Sequence, residues 1–300
     1  MTAAPSRRAL LRALGALPVA LAAGRAVPAA ADSADSAPAL SAAQRRLAFA
    51  TAQAEELAAP LTTLAGRLPP GLTGVLWRNG PAEHERFGHR YGHWFDGDGM
   101  VQAFTFSGDG VSHRARVLDT PKRRRETTAG KRILPAFGTL PPDVAPIMAP
   151  DDMNAANTSV LAHGGRLMAL WEGGSAVEFD ATTLAAGDFV AWRPDLAGAP
   201  FSAHPKVEAD GTCWNIGCVA FPRPMLLFYR IGAEGRLTAF NALPEESLGM
   251  VHDYVVTRRH LVLVVPPFAV EPERFAADPI SFLDAHVWRP ELGTRVIVVD

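Results

Sequence analysis

Short β-prone runs of mainly apolar residues, separated by turn-forming residues, dominate the chain beyond residue 60. Three of them are separated by the pairs Gly164-Gly165 and Gly173-Gly174: Thr158–Ala162, Arg166–Trp171 and Ala176–Phe179. Gly-Gly favours two-residue hairpin loops because both positions can adopt positive φ. This part of the chain is therefore predicted to form antiparallel hairpins.

The same pattern recurs along the rest of the chain. Further β-prone runs are Val101–Phe106, Val111–Leu118, Thr212–Val219, Leu226–Ile231, Leu237–Phe240, Val251–Thr257, Leu261–Val265 and Thr294–Val299. No helix of crossover length lies between them, which argues against a parallel α/β sheet. Strands this short protect their edges in a closed barrel or in sheets repeated around an axis. The expected fold class is all-β, and a repeat of roughly 40–50 residues fits β-propeller blades, with a sandwich as the alternative.

One segment shows helical spacing instead. Ser41–Ala59 is rich in Ala, Gln, Arg and Glu, and its apolar residues recur at helical intervals: Leu47, Ala50, Ala54 and Leu57. Ser41 can cap this helix and Pro60 would end it. The sequence thus predicts one N-terminal helix, preceded by a linker, within residues 32–60.

Residues 1–31 are predicted to be an export signal. A paired-arginine string, Ser6–Arg12, precedes the short apolar run Ala13–Ala23, and Ala29-Ala30-Ala31 supplies the small side chains that a signal peptidase needs. The run is roughly half the ~20 residues that span a bilayer, so it is not a stable anchor. The string resembles a twin-arginine signal, which predicts a periplasmic or extracellular protein. An amphipathic N-terminal helix is the alternative.

Composition excludes several classes of protein. The chain has 29 Lys+Arg, 31 Asp+Glu, a net charge of −2 and 48% hydrophobic residues. These values exclude a disordered chain, and no basic excess supports a nucleic-acid partner. Two cysteines exclude a disulfide scaffold, and Cys213 and Cys218 are predicted to be small buried residues. Nucleotide-binding loops and the serine-hydrolase elbow are absent from the sequence.

Several polar motifs are interpreted as structural. Asp96-Gly97-Asp98-Gly99 is half of a calcium loop, but the position of the closing Glu is Ser107, so a tight turn is expected. Lys122-Arg123-Arg124-Arg125 is interpreted as a solvated edge or loop. His89 and His93 have metal-pair spacing for a helix, but the glycines around them argue against one.

His204 and His252 differ from the other histidines in context. His204 precedes Pro205 in an extended segment, and His252 lies near the start of a predicted strand. In a propeller, the inner strands of separate blades surround one axis, so a histidine from each of several blades can reach a single metal ion. Considered alone, each is better explained as a structural histidine.

Six motifs, in order, resemble the carotenoid cleavage oxygenase family from about Leu64 to the end of the chain. They are Gly74-Val75-Leu76-Trp77-Arg78-Asn79-Gly80-Pro81, His93-Trp94-Phe95-Asp96-Gly97-Asp98-Gly99-Met100, Asn157-Thr158-Ser159-Val160, Leu167-Met168-Ala169-Leu170-Trp171-Glu172, Ala203-His204-Pro205-Lys206 and His252-Asp253-Tyr254. The resemblance implies a seven-bladed propeller with Fe(II) on its axis, of which this chain would hold roughly four to five blades in residues 61–300.

The resemblance also implies a site and a reaction. His204 and His252 would be two of four histidine ligands to Fe(II), and Glu172 a carboxylate that accepts a hydrogen bond from a ligand imidazole. The reaction would insert O2 across a conjugated C=C bond of a carotenoid or apocarotenoid to give two carbonyl products. The lipophilic polyene substrate would lie in an apolar tunnel, with possible peripheral membrane contact. For Pro266–Val270, a buried loop is favoured over a membrane rim.

The chain departs from the family at the other two ligands. His260 and His286 stand in contexts that do not match the third and fourth histidines of the family, whose members run well past the position of Asp300. We therefore expect a C-terminally truncated, aggregation-prone and inactive fragment. Two alternatives remain: cleavage of a stilbenoid (lignostilbene-type) double bond, and a non-catalytic exported propeller that binds an apolar or sugar ligand.

Overall fold

A computed structural model describes residues 41, 43, 47, 49–108, 110–220, 222–271, 273–274 and 279–300. The signal peptide predicted at residues 1–31 and the linker predicted up to residue 40 lie outside these residues. All the elements below belong to one compact unit, Leu47–Asp300.

Four successive antiparallel sheets form the described part of this unit. Sheet 1 has four strands in the order β1-β6-β5-β2: β1 (Glu56–Leu61), β2 (Gly74–Glu83), β5 (Asp98–Ser107) and β6 (Gly110–Val117). A separate small hairpin, β3 (Glu85–Arg86) and β4 (His89–Arg90), is inserted between β2 and β5. Sheet 2, in the order β10-β9-β8-β7, contains β7 (Ser159–His163), β8 (Arg166–Leu170), β9 (Ala176–Phe179) and β10 (Ala186–Val190).

The two later sheets follow the same plan. Sheet 3, in the order β11-β12-β13-β14, contains β11 (Lys206–Val207), β12 (Cys213–Val219), β13 (Met225–Ile231) and β14 (Leu237–Pro244). Sheet 4 has three strands in the order β15-β16-β19: β15 (Tyr254–Val256), β16 (Leu261–Val265) and β19 (Arg295–Val299). A separate hairpin, β17 (Phe268–Val270) and β18 (His286–Trp288), is inserted between β16 and β19. The helix α1 (Pro121–Ala129) lies between sheets 1 and 2 in the chain.

The predicted all-β fold class and hairpins are confirmed. Ala176–Phe179 and Leu261–Val265 match β9 and β16 residue for residue. Gly164 and Gly165 have φ values of 57° and 75°, as a two-residue turn requires. Gly174 does not have positive φ; a Cβ there would lie 2.3 Å from Asp151 Oδ1, so this glycine is needed for a close approach.

Successive sheets pack face to face through residues that alternate along each strand. In β13, Leu227 and Tyr229 pack in the core shared with sheet 2, whereas Leu226 and Phe228 pack in the core shared with sheet 4. Both faces of the strand are buried because sheets 2 and 4 cover it on either side. This stacking is the arrangement of propeller blades.

Sheet 4 presents an exposed valine face. Val255, Val264, Val296 and Val298 are between 45% and 58% exposed. Val262 lies opposite Val255 on one side and Val298 on the other, and Val264 lies opposite Val296, so all five side chains share one side of the sheet. The other side of sheet 4, which includes Leu261 and Leu263, is buried against sheet 3.

The predicted helix at Ser41–Ala59 is only partly correct. Ala43 and Leu47 have helical backbone, but Glu56–Leu61 is strand β1. Leu57 lies opposite Ala115 of β6, and the sheet gains an edge strand in place of the last helical turn. Pro60, expected to end the helix, is tolerated in β1 because the strand lies at the sheet edge.

The solvated edge or loop predicted at Lys122–Arg125 is wrong for Lys122 and Arg123, which are buried, whereas Arg124 is exposed as expected. These residues begin α1, whose Thr120 side chain accepts a hydrogen bond from Arg123 N and whose Gly130 closes the C-terminus with φ 64°. Lys122 and Glu126 are fully buried although both are charged. The helix is buried by ion pairs and not by an apolar face, which is why hydrophobic spacing did not reveal it.

The buried face of α1, which includes Lys122 and Glu126, belongs to a charged cluster. Lys122 Nζ lies 2.7 Å from Asp98 Oδ1, 2.6 Å from Tyr91 Oη and 3.5 Å from Glu126 Oε2. Arg132 Nη1 lies 3.8 Å from Asp98 Oδ2 and 3.7 Å from Glu126 Oε2. Burial lowers the pKa of Lys122, but Asp98, Tyr91 and Glu126 outweigh it and raise the pKa above its ordinary value. The lysine is therefore held in its charged form.

The tight turn predicted at Asp96-Gly97-Asp98-Gly99 is also wrong. Asp96 ends a 3₁₀ turn, Trp94–Asp96, and Asp98 begins β5. Asp96 Oδ1 accepts a hydrogen bond from Gly138 N at 2.8 Å, so its carboxylate fixes a neighbouring loop. Cys213 is buried, as predicted, whereas Cys218 is only partly buried, and neither forms a disulfide.

Candidate metal centre

Glu172, His204 and His252 come from three successive sheets. Glu172 follows the end of β8 by two residues, and His204 and His252 each precede the first strand of their sheets, β11 and β15, by two residues. Ser159 at the start of β7 lies opposite Leu170 at the end of β8. All three residues therefore stand at the end of the sheets where the first strand begins.

The side chains of these residues meet. His204 Nε2 and His252 Nε2 are 3.0 Å apart. Glu172 Oε1 lies 2.6 Å from His252 Nδ1 and 3.8 Å from His204 Nε2. One ligand atom from each residue falls within 4.8 Å of the others, the one such group of three among the described residues.

Hydrogen bonds from two sheets fix the backbone around His204. The His204 N–H donates to Ser202 Oγ at 3.2 Å, and Asn215 Nδ2 donates to Ser202 O at 2.8 Å. Ser159 Oγ of sheet 2 donates to Ala203 O at 2.5 Å. The histidine is thus held between sheets 2 and 3.

The segment before β15 fixes His252. Val251 is buried, and Cys218 Sγ of sheet 3 lies 3.7 Å from its carbonyl oxygen. Asp253 Oδ1 accepts a hydrogen bond from Tyr254 N at 2.7 Å. The ring of His252 is half-exposed, so access to the site is from its side.

Burial controls the charge of the site. It raises the pKa of Glu172 to about 8, and the nearby Asp253 carboxylate contributes to the increase. Burial lowers the pKa of His204 below its ordinary value, and His252 adds to that effect. Both pKa shifts favour the neutral forms of Glu172 and His204, because burial disfavours their charged forms. A bound cation would instead favour the ionised form of Glu172.

The other candidate histidines lie elsewhere. His260 Nε2 is 3.0 Å from an Asp300 carboxylate oxygen, and His286 is buried in the β17–β18 hairpin, where its Nδ1 lies 2.9 Å from Phe282 O. His93 caps the 3₁₀ turn before β5, and His89 lies in β4. Asp253 and Lys206 also lie beside the site, and no role was predicted for either, although the matched motifs contain both.

The three residues fit a divalent metal ion that prefers imidazole ligands. Metal–imidazole bonds are about 2.1 Å long, so nitrogens that bind one ion at adjacent positions lie about 3 Å apart. The two Nε2 atoms show that separation. A carboxylate beside Nδ1 of His252 favours the tautomer with a proton on Nδ1, which leaves the Nε2 lone pair free for the ion.

A sequence model of the retinal pigment epithelial membrane protein family, the carotenoid cleavage oxygenases, matches residues 49–300. The chain belongs to this family. It is 32% identical to the apocarotenoid-15,15'-oxygenase of Synechocystis sp. over 66% of this chain and 43% of that protein. It is 26% identical to the isoeugenol monooxygenase of Pseudomonas nitroreducens over 78% of this chain and 48% of that protein.

The family fold is also present in the structure. A crystal structure of cobalt-substituted Synechocystis apocarotenoid oxygenase superposes with a TM-score of 0.74 at 27% identity, over 84% of this chain and 55% of that one. This carotenoid cleavage oxygenase chain spans about half the length of the relatives it matches. Among the described residues, no helix has the length and apolarity to cross a membrane.

Proposed function

We propose that the chain supplies His204, His252 and Glu172 to the iron(II) centre of an oxygenase that cleaves a conjugated C=C bond. The observation that carries this proposal is the convergence of the two Nε2 atoms, 3.0 Å apart, from two different sheets. Ferrous iron bound there would bind and activate O2 for addition to the double bond. The activities of two family relatives, an apocarotenoid-15,15'-oxygenase and an isoeugenol monooxygenase, support an oxygenase.

Each of the chain's own residues has a separate task in this proposal. The two imidazoles present neutral nitrogen lone pairs to the ion. Glu172 has a side chain only 19% exposed and an Oε1 that lies 2.6 Å from His252 Nδ1, where it would favour a proton on that nitrogen and compensate part of the metal charge. The packing of sheets 2, 3 and 4 keeps the three groups in place before any ligand arrives.

The proposed substrate is a carotenoid or apocarotenoid with a long polyene. The similarity to the Synechocystis apocarotenoid-15,15'-oxygenase supports this choice. The similarity to an isoeugenol monooxygenase supports the second candidate, a phenylpropanoid or stilbenoid double bond. Loss of polyene absorbance against loss of stilbene absorbance, with both compounds offered to the same preparation, separates the two.

Peripheral membrane contact is part of the proposal. Pro266–Val270 does not supply it, because Ala269 and Val270 are buried in β17. An exposed aromatic group supports it instead: the rings of Phe49 and Trp94 are 5.5 Å apart, and those of Trp94 and Phe95 are 5.9 Å apart. Aromatic side chains favour the membrane–water interface. Flotation with phosphatidylcholine vesicles should therefore fall in Trp94→Ser.

Export through the twin-arginine route also remains a proposal. It rests on Ser6–Arg12 and the small residues before residue 32. Replacing Arg7 and Arg8 by lysine should retain the protein in the cytoplasm if the route is correct. Unchanged export of that variant would contradict it.

A metal titration tests the site itself. Cobalt(II), which gives visible absorption bands with histidine ligands, is added to the purified chain and to His204→Ala, His252→Ala and His260→Ala. The first two variants should lose most of the cobalt signal, because each removes one of the converging nitrogens. His260→Ala, outside the site, should titrate like the unmodified chain. Equal titration of all four proteins would refute the proposed centre and favour a non-catalytic propeller.

A further inference from the structure

An ion pair joins the two segments that carry the histidines. Lys206 Nζ lies 2.7 Å from Asp253 Oδ1. Lys206 begins β11 of sheet 3, two residues after His204, and Asp253 directly follows His252 before sheet 4. The pair therefore bridges the same two sheets as the two imidazoles.

The ion pair is one side of a closed ring of contacts. Asp253 Oδ1 also accepts from the Tyr254 N–H at 2.7 Å. The buried Tyr254 hydroxyl donates to Trp214 O at 2.6 Å. Trp214 lies opposite Lys206 in the β11–β12 register, which returns the ring to its starting point. Rotation or sliding of sheet 4 against sheet 3 would break at least one of these contacts.

We propose that Lys206 and Asp253 are positioning residues that hold His204 Nε2 and His252 Nε2 at metal-binding separation. This inference rests on the proposed function, because the metal gives the separation its purpose. Neither residue is among the three candidate ligands. They act through the backbone of the residues beside them.

Thermal stability alone would not reveal this role. The side chains of Lys206 and Asp253 are 35% and 54% exposed, and exposed ion pairs contribute little to the free energy of unfolding. A second pair with similar geometry gives a matched control. Lys131 Nζ lies 2.8 Å from Asp143 Oδ2, with side chains 53% and 74% exposed, and neither residue contacts the site.

Electrostatics and positioning predict opposite effects for removal of the lysine charge. Lys206 is a cation near a cation site, so its replacement by a neutral residue should strengthen metal binding if only charge mattered. If the ion pair positions the histidines, the same replacement should weaken binding. The sign of the change in cobalt(II) affinity therefore distinguishes the two.

The experiment measures cobalt(II) affinity of the full chain by its visible absorption. Lys206→Met keeps the length of the side chain and removes the charge, Lys206→Arg keeps the charge, and Lys131→Met is the control. The dissociation constant should rise about tenfold in Lys206→Met, at the low end of the effect of residues that orient metal ligands. Lys206→Arg and Lys131→Met should bind like the unmodified chain. An unchanged or tighter dissociation constant in Lys206→Met would overturn the proposal.

A metal-free measurement keeps the two proposals distinguishable. The His204 and His252 ring centroids are 4.4 Å apart, so ¹³C-labelled histidine should show an NMR cross-peak between the rings, assigned with His204→Gln. Lys206→Met should lose the cross-peak and Lys131→Met should retain it. A cross-peak retained in Lys206→Met refutes positioning. If the unmodified chain binds no cobalt but Lys206→Met loses the cross-peak, the metal function fails and the positioning role stands.

Asp253→Asn provides a second variant if Lys206→Met does not fold. Its side-chain oxygen can still accept from Tyr254 N, whereas the charge that holds Lys206 is gone. It should lose the same cross-peak. A retained cross-peak in folded Asp253→Asn would overturn the proposal.

Discussion

Removing the charge of Lys122 should destabilise the protein strongly. Lys122→Met keeps a linear side chain but withdraws the ammonium group that lies 2.7 Å from Asp98 and 2.6 Å from the Tyr91 hydroxyl. Asp98 and Glu126 would remain buried, with only Arg132 opposite them at 3.8 and 3.7 Å. Two carboxylates would then share one cation in a region without access to water.

The size of the effect follows from this burial. Removing one member of a buried ion pair typically costs about 3–5 kcal/mol, because the partner charge stays buried and uncompensated. For a domain of this size, that corresponds to a decrease in Tm of about 10 °C. The contribution should not vary between pH 6 and pH 8. Since the folded-state pKa of Lys122 is raised, its stabilisation is complete below the unfolded value of about 10.4 and is lost only above it.

Urea unfolding followed by circular dichroism measures the change, and Lys131→Met again serves as the control. The Lys131–Asp143 pair has nearly the same N–O distance, 2.8 Å, but both side chains are more than half exposed, so its loss should leave the free energy of unfolding nearly unchanged. Lys122→Met combined with Asp98→Asn should recover about 1–2 kcal/mol, because Arg132 then faces Glu126 alone. Equal losses in Lys122→Met and Lys131→Met would refute the argument from burial.

Three further predictions concern other parts of the fold. Burial lowers the pKa of His286 in the folded protein, so as the pH falls the unfolded chain takes up a proton at this residue before the folded protein does. Stability should therefore fall below about pH 6.5, and His286→Gln should flatten the dependence of Tm on pH. Gly99→Ala places a Cβ 2.1 Å from Ala156 O and should cost about 1–3 kcal/mol in urea unfolding, whereas Gly80→Ala meets open space and should not. The purified chain should elute above its 32.0 kDa monomer mass in light-scattering chromatography, and Val298→Lys in the valine face should shift it towards the monomer.

Local patterns were sufficient to predict the sheets. The β-propensity of Ala176–Phe179 and the turn formed by Gly164 and Gly165 depend on neighbours within a few residues, so the sequence displays them directly. Glu56–Leu61 was missed because its helical spacing was overridden by a long-range pairing with β6. Helix α1 was missed because ion pairs bury it, and the partners of Lys122 include Asp98, which is distant in sequence.

The site could be predicted only in part. His204 and His252 are separated by 48 positions, and no periodicity relates them, so the resemblance to a family was what brought them together with Glu172. The Lys206–Asp253 pair lies within the same motifs, but in the sequence nothing distinguishes either residue from any other charged residue near a histidine. Its role depends on the register that sets Lys206 opposite Trp214, which the sequence does not display.

The two-sided burial of β13 limits how the chain length can vary. Leu226 and Leu227 are adjacent, yet they serve different cores. An insertion of one residue in this strand would exchange the two sets of side chains and disturb both neighbouring sheets at once. Changes in length are therefore expected in the turns, such as Glu234-Gly235, and not within the strands that they connect.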